Sequence, residues 1–513
     1  MNSKLSSSLI RLAGSGCKSD CLNRLCAVAA VGVRGVSCAV VNPTIINIHQ
    51  QQTHLRNYSC SRHSSSSSRC RSRSWLSLNQ CRWFNTADNN HSKMSKKVVP
   101  ADRTRGVDKN VWVEFGKLST DYKALNLGQG FPDFAPPQFV IDALSAATRS
   151  DNALMNQYTR STGHPRLVNA LANTFSPIMK REIDPMNEII ITVGAFGSLY
   201  YTIQGLVNPG DEVIIIEPFF DCYEPMVRVA GGTPVFIPLR PKAPPAGKMM
   251  SSGDWHLDPE ELAGKFTEKT KLIIVNTPHN PTGKIFTADE LELIRSLCIK
   301  HDVVCVADEV YEWLVYKGHQ HIKIATLPGM WERTLTIGSA GKTFSATGWK
   351  VGWTIGPQYL IKALQIIHQN SLYTTATPIQ EALAVGFECE SQKIGTSDCY
   401  FHQLPAELQP KRDRLAKMLL DIGAVPMIPE GGYFMMADVS NIKFETDGTD
   451  DPKDFQFVRW MTKQKRLSAI PPSAFYSSKH KHLAENLVRF TFIKKDESLD
   501  AAEKIFQQWK KDL

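Results

Sequence analysis

Five short runs of branched apolar residues set the strongest limit on this fold. They are EIIITV (188–193), EVIIIE (212–217), LIIVN (272–276), VVCVA (303–307) and TLTIG (334–338), separated by longer stretches of helical pattern. Strands that are apolar at successive positions are buried on both faces, as in a mainly parallel sheet covered by helices. The succession predicts an α/β fold built of βα units over roughly residues 138–390. Between the third and fourth runs, TADELELIRSLCIKHD places Glu290 three residues after Thr287, a capping box that opens an amphipathic helix. Further on, YFMMADV and LVRFTF mix short strands with helical segments, which predicts a second, smaller α+β domain. The sequence has no internal repeat.

The 513-residue chain is 42% hydrophobic, enough for a large core, which excludes a disordered or collagen-like protein. Its longest apolar stretch, Ala27 to Val41, is broken by Arg34, so no membrane span and no membrane partner are expected. Charge is uneven. Residues 1–93 carry 12 Lys or Arg against Asp20 and Asp88, a net +10, and the whole chain is +9, leaving −1 for the rest. The basicity belongs to a leader and gives no argument for a nucleic-acid partner of the body. Rich in Ser and Arg and nearly free of acids, the leader has the marks of a mitochondrial transit peptide, which predicts a matrix location. Its stretch SRHSSSSSRCRSRS reads as a solvated linker, with an arginine–serine RNA-binding tail as the rival reading. A start at Met94 would give a leaderless cytosolic form. Seven of 12 cysteines lie in the leader, and Cys222, Cys298, Cys305, Cys389 and Cys399 have no CxxC spacing. They are expected to be reduced and partly buried, with no metal site.

The sequence has no GxGxxG opening a helix, no GxxxxGK[ST], no HExxH and no GxSxG. Instead SAGKTFSATGWKVGW (339–353) follows the strand TLTIG, and ligands of α/β sheets sit beyond the carboxyl ends of strands. Lys342 therefore emerges where a cofactor would lie, with Ser339 and Lys350 suited to a phosphate. NTPHNPTG (276–283) follows the third strand and offers the amide of Asn280. ADEVY (307–311) follows the fourth and places Asp308 and Tyr311 at the same edge. A carboxylate at a buried strand end is costly unless it meets a cation or proton donor, and a pyridinium N–H is such a partner. A reactive lysine, an acid and phosphate donors together make the set that pyridoxal phosphate requires.

NPTGK, DEVY and SAGKTFSATGWKVGW, in this order and spacing, resemble the fold-type-I, class I/II aminotransferases. LGQGFPDF (127–134), NQYTRSTGHPRL (156–167), IIIEPFFDCYEP (214–225) and HQNSLYTTATP (368–378) are similar to the subfamily of kynurenine aminotransferases, glutamine transaminase K and cysteine-conjugate β-lyases. The resemblance runs from about Arg103 to the C-terminus and leaves the leader outside. With the leader, read from composition, over 1–95, it implies an N-terminal arm and part of the small domain over 96–137, a large cofactor domain over 138–404 and a small domain over 405–513. It implies pyridoxal 5′-phosphate as cofactor, amino acids and 2-oxo acids as substrates, and a homodimer.

Carried over residue by residue, the resemblance makes Lys342 the catalytic lysine that links covalently to the cofactor and moves the substrate proton. Asp308 would hold the ring nitrogen, Asn280 and Tyr311 the 3-oxygen, and Phe220 would stack on the ring. Ser339, Lys350 and the amides of Ala195 and Phe196 would bind the phosphate, joined by Tyr158 from the neighbouring subunit. Arg489, with Gly130 and Asn280, would hold the substrate carboxylate, and Trp112 would wall its side-chain pocket. An aromatic pocket with one arginine implies kynurenine, glutamine, methionine or aromatic donors, with a β-lyase side activity. An aspartate- or tyrosine-type aminotransferase, or a non-catalytic relative of the fold, is the alternative. The chain departs from the subfamily at Phe196, where a tyrosine is usual, and at Tyr373-Thr374, where Phe-His is usual. Both departures bear on substrate preference.

Overall fold

The computed structural model describes residues 99–106, 110–243 and 248–513, all within one compact unit that spans His91–Leu513. The leader over 1–95, with its targeting expectation and the Met94 start, lies outside the described residues.

Seven strands form the central sheet: β1 (Ile189–Thr192), β2 (Glu212–Glu217), β3 (Thr233–Pro238), β4 (Thr270–Asn276), β5 (Val304–Asp308), β6 (Thr334–Ser339) and β7 (Gly352–Ile355). Their order is β1-β7-β6-β5-β4-β2-β3. Neighbours are parallel except around β7, which runs antiparallel to both β6 and β1. Alternate residues face two different cores. Val213, Ile215, Leu272, Ile274 and Val306 pack on one side, and Ile214, Ile216, Ile273, Val275 and Cys305 on the other. The five apolar runs are thus five of the strands. The runs did not reveal β3 and β7. TPVFIP carries two prolines, which a ladder tolerates at its edge, and β3 is the edge strand.

Three helices place the site. In α1 (Val111–Asp121) the Asn110 side chain accepts from the amides of Trp112 and Val113, fixing the first turn and the direction of Trp112. Helix α2 (Gly194–Leu206) starts two residues after β1 ends. Helix α3 (Ala288–Lys300) has the expected capping box, with Thr287 Oγ1 accepting from the Glu290 amide and Glu290 accepting from the Thr287 amide.

A three-stranded antiparallel sheet, β8 (Val425–Met427), β9 (Phe434–Asp438) and β10 (Leu487–Thr491), contains the YFMMADV and LVRFTF segments. The N-terminal segment joins this region by parallel pairing of Leu125 with Leu467 and Asn126 with Ser468. The thiols of Cys222, Cys298, Cys305 and Cys399 are buried. No helix among the described residues is long and apolar enough to cross a membrane.

Candidate active site

The carboxyl ends of three adjacent strands hold the centre of the site. Asn276 closes β4, Asp308 closes β5 and Ser339 closes β6, with Asn276 directly opposite Asp308 in the ladder. Above them opens a cavity of about 340 Å³. It is lined by Lys342, Asp308, Asn280, Tyr311, Ser339, Lys350, Phe220, Ala195, Phe196, Gly130, Arg489 and Trp112. Twelve of the thirteen residues expected from sequence therefore meet in one place. Tyr158 is the exception: it is 82% exposed and its ring meets the edge of Tyr373 at 5.6 Å.

Asp308 is buried and its two oxygens differ. Tyr223 Oη donates to Oδ2, while Oδ1 has no hydrogen-bond partner. Burial pushes the carboxyl up to about 6, against the lowering effect of the Tyr223 bond. An unpaired carboxylate oxygen in the interior calls for a donor, and a protonated ring nitrogen supplies one.

On the other side of the cavity, the first turn of α2 has no side-chain cap, so its leading amides are free to bind an anion. Gly194 there has φ +66°, a left-handed conformation that favours glycine, and the Lys350 ammonium lies beside it. Gly352 is equally constrained, since a Cβ would lie 2.4 Å from the Ala195 amide nitrogen. Sheet and helix start therefore touch backbone to backbone. With Ser339 and Lys350 this forms a cradle of phosphate size and sign. The orphaned Asp308 oxygen at one end and the uncapped amides at the other fit pyridoxal 5′-phosphate.

Lys342 lies in the helical turn Ala340–Thr343 that follows β6. Its ammonium donates to Tyr433 Oη and lies 3.5 Å from the Gly130 carbonyl. Desolvation, reinforced by the positive charge of Arg489, lowers Lys342 to about 8.

Arg489 is fully buried on β10. Its Nη1 donates to Asn280 Oδ1 (3.0 Å) and Nη2 to the Gly128 carbonyl (2.8 Å), while Nε has no partner. Its guanidinium lies 4.0 Å from the Phe434 ring centroid, 5.0 Å from Phe475 and 5.1 Å from Trp112. Burial pulls the group down to about 10, still charged at neutral pH. Because Asn280 turns its oxygen to Arg489, its NH₂ remains for another acceptor. Trp112 is held by its own bond, Nε1 to Asp221 Oδ2 at 2.7 Å. Phe196 meets Phe220 edge-on at 6.4 Å.

Sequence reasoning gave no role to Tyr223, Tyr433, Asn276 or Phe434. Tyr223 closes the turn that Phe220 opens, its amide donating to the Phe220 carbonyl at 3.0 Å, and its place three residues after Phe220 in EPFFDCYEP was the available signal. Tyr433 follows two glycines at the mouth of β9, but no local pattern links it to Lys342, 91 residues away. Among the described residues no group of His, Cys, Asp or Glu is arranged to hold a metal.

The sequence model of the family "Aminotransferase class I and II" matches residues 122–505. Kynurenine–oxoglutarate transaminase 3 of Mus musculus is 59% identical over 420 residues, covering 82% of this chain and 92% of the relative. Kynurenine–oxoglutarate transaminase 1 of Homo sapiens is 50% identical over 421 residues, covering 81% and 100%. Among solved structures, Bna3p of Saccharomyces cerevisiae superposes with a TM-score of 0.75 at 35% identity, over 81% of this chain and 100% of that one. Aspartate aminotransferase of Thermus thermophilus with maleate gives 0.69 at 27% identity, over 80% and 99%.

Proposed function

The chain belongs to the class I and II aminotransferases, enzymes that use pyridoxal 5′-phosphate to exchange amino groups between amino acids and 2-oxo acids, and on that premise we propose that it moves the amino group of L-kynurenine to a 2-oxo acid. One observation carries the substrate reading. Among the described residues Arg489 is the single guanidinium lining the cavity, set among the aromatic rings of Trp112, Phe131, Phe196, Phe220 and Phe434. A second carboxylate on the donor would find no matching fork, whereas an aromatic side chain finds matching walls. Relatives that are 50–59% identical are named kynurenine–oxoglutarate transaminases, which supports kynurenine as the donor here. By the same pocket chemistry the reading extends to glutamine, methionine and other aromatic donors, and to β-elimination from cysteine conjugates as a side reaction.

When bound, pyridoxal 5′-phosphate supplies an electron sink that acidifies the Cα–H bond of the amino acid attached to it. The protein does the rest. Lys342 holds the cofactor and, when free, takes and returns the Cα proton; burial lowers its amine towards the range where that exchange is easy. Asp308 Oδ1 would accept the ring N–H, and the Asn280 amide and Tyr311 phenol would hold the 3-oxygen. Ser339, Lys350 and the amides of Ala195 and Phe196 would hold the phosphate. Phe220 would stack on the ring. Arg489 and Gly130 hold the substrate carboxylate, and Trp112 walls the side chain. Tyr158 does not line the cavity of its own chain. Its reach to a phosphate belongs to a homodimer, in which it serves the neighbouring site.

An absorption spectrum tests the reading. Full-length protein supplied with pyridoxal 5′-phosphate should show the visible band of the lysine-linked cofactor. L-kynurenine, without any 2-oxo acid, should bleach that band. Bleaching by aspartate but not kynurenine would replace the substrate assignment with the aspartate-type alternative. Failure to take up the cofactor would overturn the proposal.

A further inference from the structure

Tyr433 stands between two groups of the site. It is 1% exposed, at the start of β9, and its Oη donates to the Gly130 carbonyl at 2.8 Å. A phenol has one proton, so with that proton given to Gly130 the oxygen can only accept. It accepts from Lys342 Nζ, and the Tyr311 phenol is a further hydrogen-bond neighbour of the same oxygen. Glycine at 130 makes this possible. A Cβ there would fall 2.2 Å from Phe434 and 3.1 Å from the Tyr433 ring, so only glycine lets the 128–131 backbone lie against the two rings. The ring is packed edge-on against Tyr311 at 5.2 Å and lies 4.8 Å from the Phe434 centroid, which fixes where its oxygen points.

We propose that Tyr433 is the dock for the free amine of Lys342, a catalytic positioning role in the same reaction. The proposal rests on the reading of Lys342 as the lysine that moves the substrate proton. One N–H of Lys342 is tied to Tyr433 Oη, whose own proton is tied to the Gly130 carbonyl. This chain of two bonds stops the flexible lysine stem from sweeping the cavity and holds its nitrogen at one place in the site. Burial raises the Tyr433 phenol well above its ordinary range, so its proton stays in place while the lysine cycles between charged and neutral.

Tyr433→Phe keeps the ring and removes only the oxygen. Three readouts are needed. In the apoprotein, the pH dependence of Lys342 carbamoylation by cyanate, followed by mass spectrometry, should shift down by about one pH unit, as expected when a charged donor loses an acceptor. In the holoenzyme, kcat should fall by roughly ten- to a hundredfold with little change in KM. The visible band should still form on adding pyridoxal 5′-phosphate.

Lys494→Met is the control. Lys494 Nζ donates to the Phe131 carbonyl at 2.9 Å, so its loss loosens the same loop without touching Lys342. It should raise KM and leave the cyanate titration of Lys342 where it was. If Tyr433→Phe instead behaves like Lys494→Met, with KM raised, kcat kept and the lysine titration unmoved, Tyr433 serves the loop alone and the proposal is wrong. If the wild-type protein takes up no cofactor, the functional reading falls and this one with it.

Discussion

Tyr223 and Asp308 share one hydrogen bond, and among the described residues it is the only one to the Asp308 carboxyl from another side chain. Tyr223 comes from the helix after β2 and Asp308 from the end of β5, so two elements on one edge of the sheet set the charge of a single group. The bond favours the ionised form, while burial opposes it and leaves the carboxyl at about 6 instead of 3.8. A carboxyl whose folded pKa is raised holds its proton more tightly folded than unfolded. Its contribution to stability is complete below pH 3.8 and is lost as the pH rises to about 6. Without cofactor, wild-type protein should therefore lose stability relative to Asp308→Asn across that interval. Tyr223→Phe should push the loss to higher pH. Urea unfolding of the three apoproteins at a series of pH values measures this, and parallel profiles would count against the assignment.

Arg489 combines a planar fork with three aromatic neighbours and two carbonyl-type acceptors, Asn280 Oδ1 and the Gly128 carbonyl. Lysine cannot reproduce that geometry. Arg489→Lys should raise KM for amino donors by about ten- to a hundredfold, the range for losing a charge-assisted hydrogen bond, and leave cofactor uptake intact. Steady-state kinetics beside a cofactor titration separate the two. An unchanged KM would place the substrate carboxylate elsewhere.

The chemistry-bearing residues were legible because each follows an apolar run that can only be a buried strand. Asn276, Asp308 and Ser339 end three such strands, and parallel pairing puts their carboxyl ends on one edge. A linear pattern with a fixed direction was enough. Strand limits moved by a residue: Asp308 and Ser339 are the last residues of their strands, not the first beyond them. Of the residues that arrive from other elements, Trp112, Gly130 and Phe220 were reached only through the family resemblance, and Tyr433 was not reached. Tyr433 reaches Lys342 through the packing of β9 against the Gly130 loop, and nothing local to YFMMADV signals that approach. Arg489 sat in a legible strand, but its acceptors at Gly128 and Asn280 come from segments hundreds of residues earlier. The antiparallel β7 was missed because GWTI is short and only partly branched.

Behind the site, Lys323 is buried between two carboxylates, with Nζ 2.6 Å from Glu309 and also bonded to Glu312. Burial alone would lower its pKa, but the two acids hold it above the ordinary range, and Glu309 is held down at about 2 by Lys323 and His321. Glu309 follows Asp308 directly, so this triad anchors the end of β5. Lys323→Met leaves Glu312 without its cation and Glu309 with His321 alone, and should cost about 3–5 kcal/mol of stability. Adding Glu309→Gln and Glu312→Gln should recover most of that loss. Denaturant midpoints of the single and triple variants measure it, and a single variant as stable as wild type would sink the triad as an anchor.

Asp454 braces, from a distance, the loop that packs against the cavity residues Trp112 and Arg489. Buried in the helix Lys453–Trp460, its carboxyl accepts from the Ser473 amide (2.7 Å) and the Ser473 hydroxyl (2.8 Å). Glu217, at the end of β2, accepts from the Ser477 amide and from His480 Nδ1. The stretch between carries Phe475, whose carbonyl accepts from the Phe219 amide at 2.8 Å and whose ring lies 6.0 Å from Trp112 and 5.0 Å from the Arg489 guanidinium. Two buried acids therefore hold both ends of a loop whose middle sets the position of Arg489 and Trp112. In Asp454→Asn the amide keeps one acceptor oxygen but turns an NH₂ towards a donor. The variant should lose about 1–3 kcal/mol of stability and raise KM for aromatic donors more than for small ones, with cofactor uptake unchanged. Thermal unfolding together with KM for kynurenine and alanine checks both parts. An equal rise in KM for the two donors would show that Phe475 positions the carboxylate site alone and not the side-chain wall.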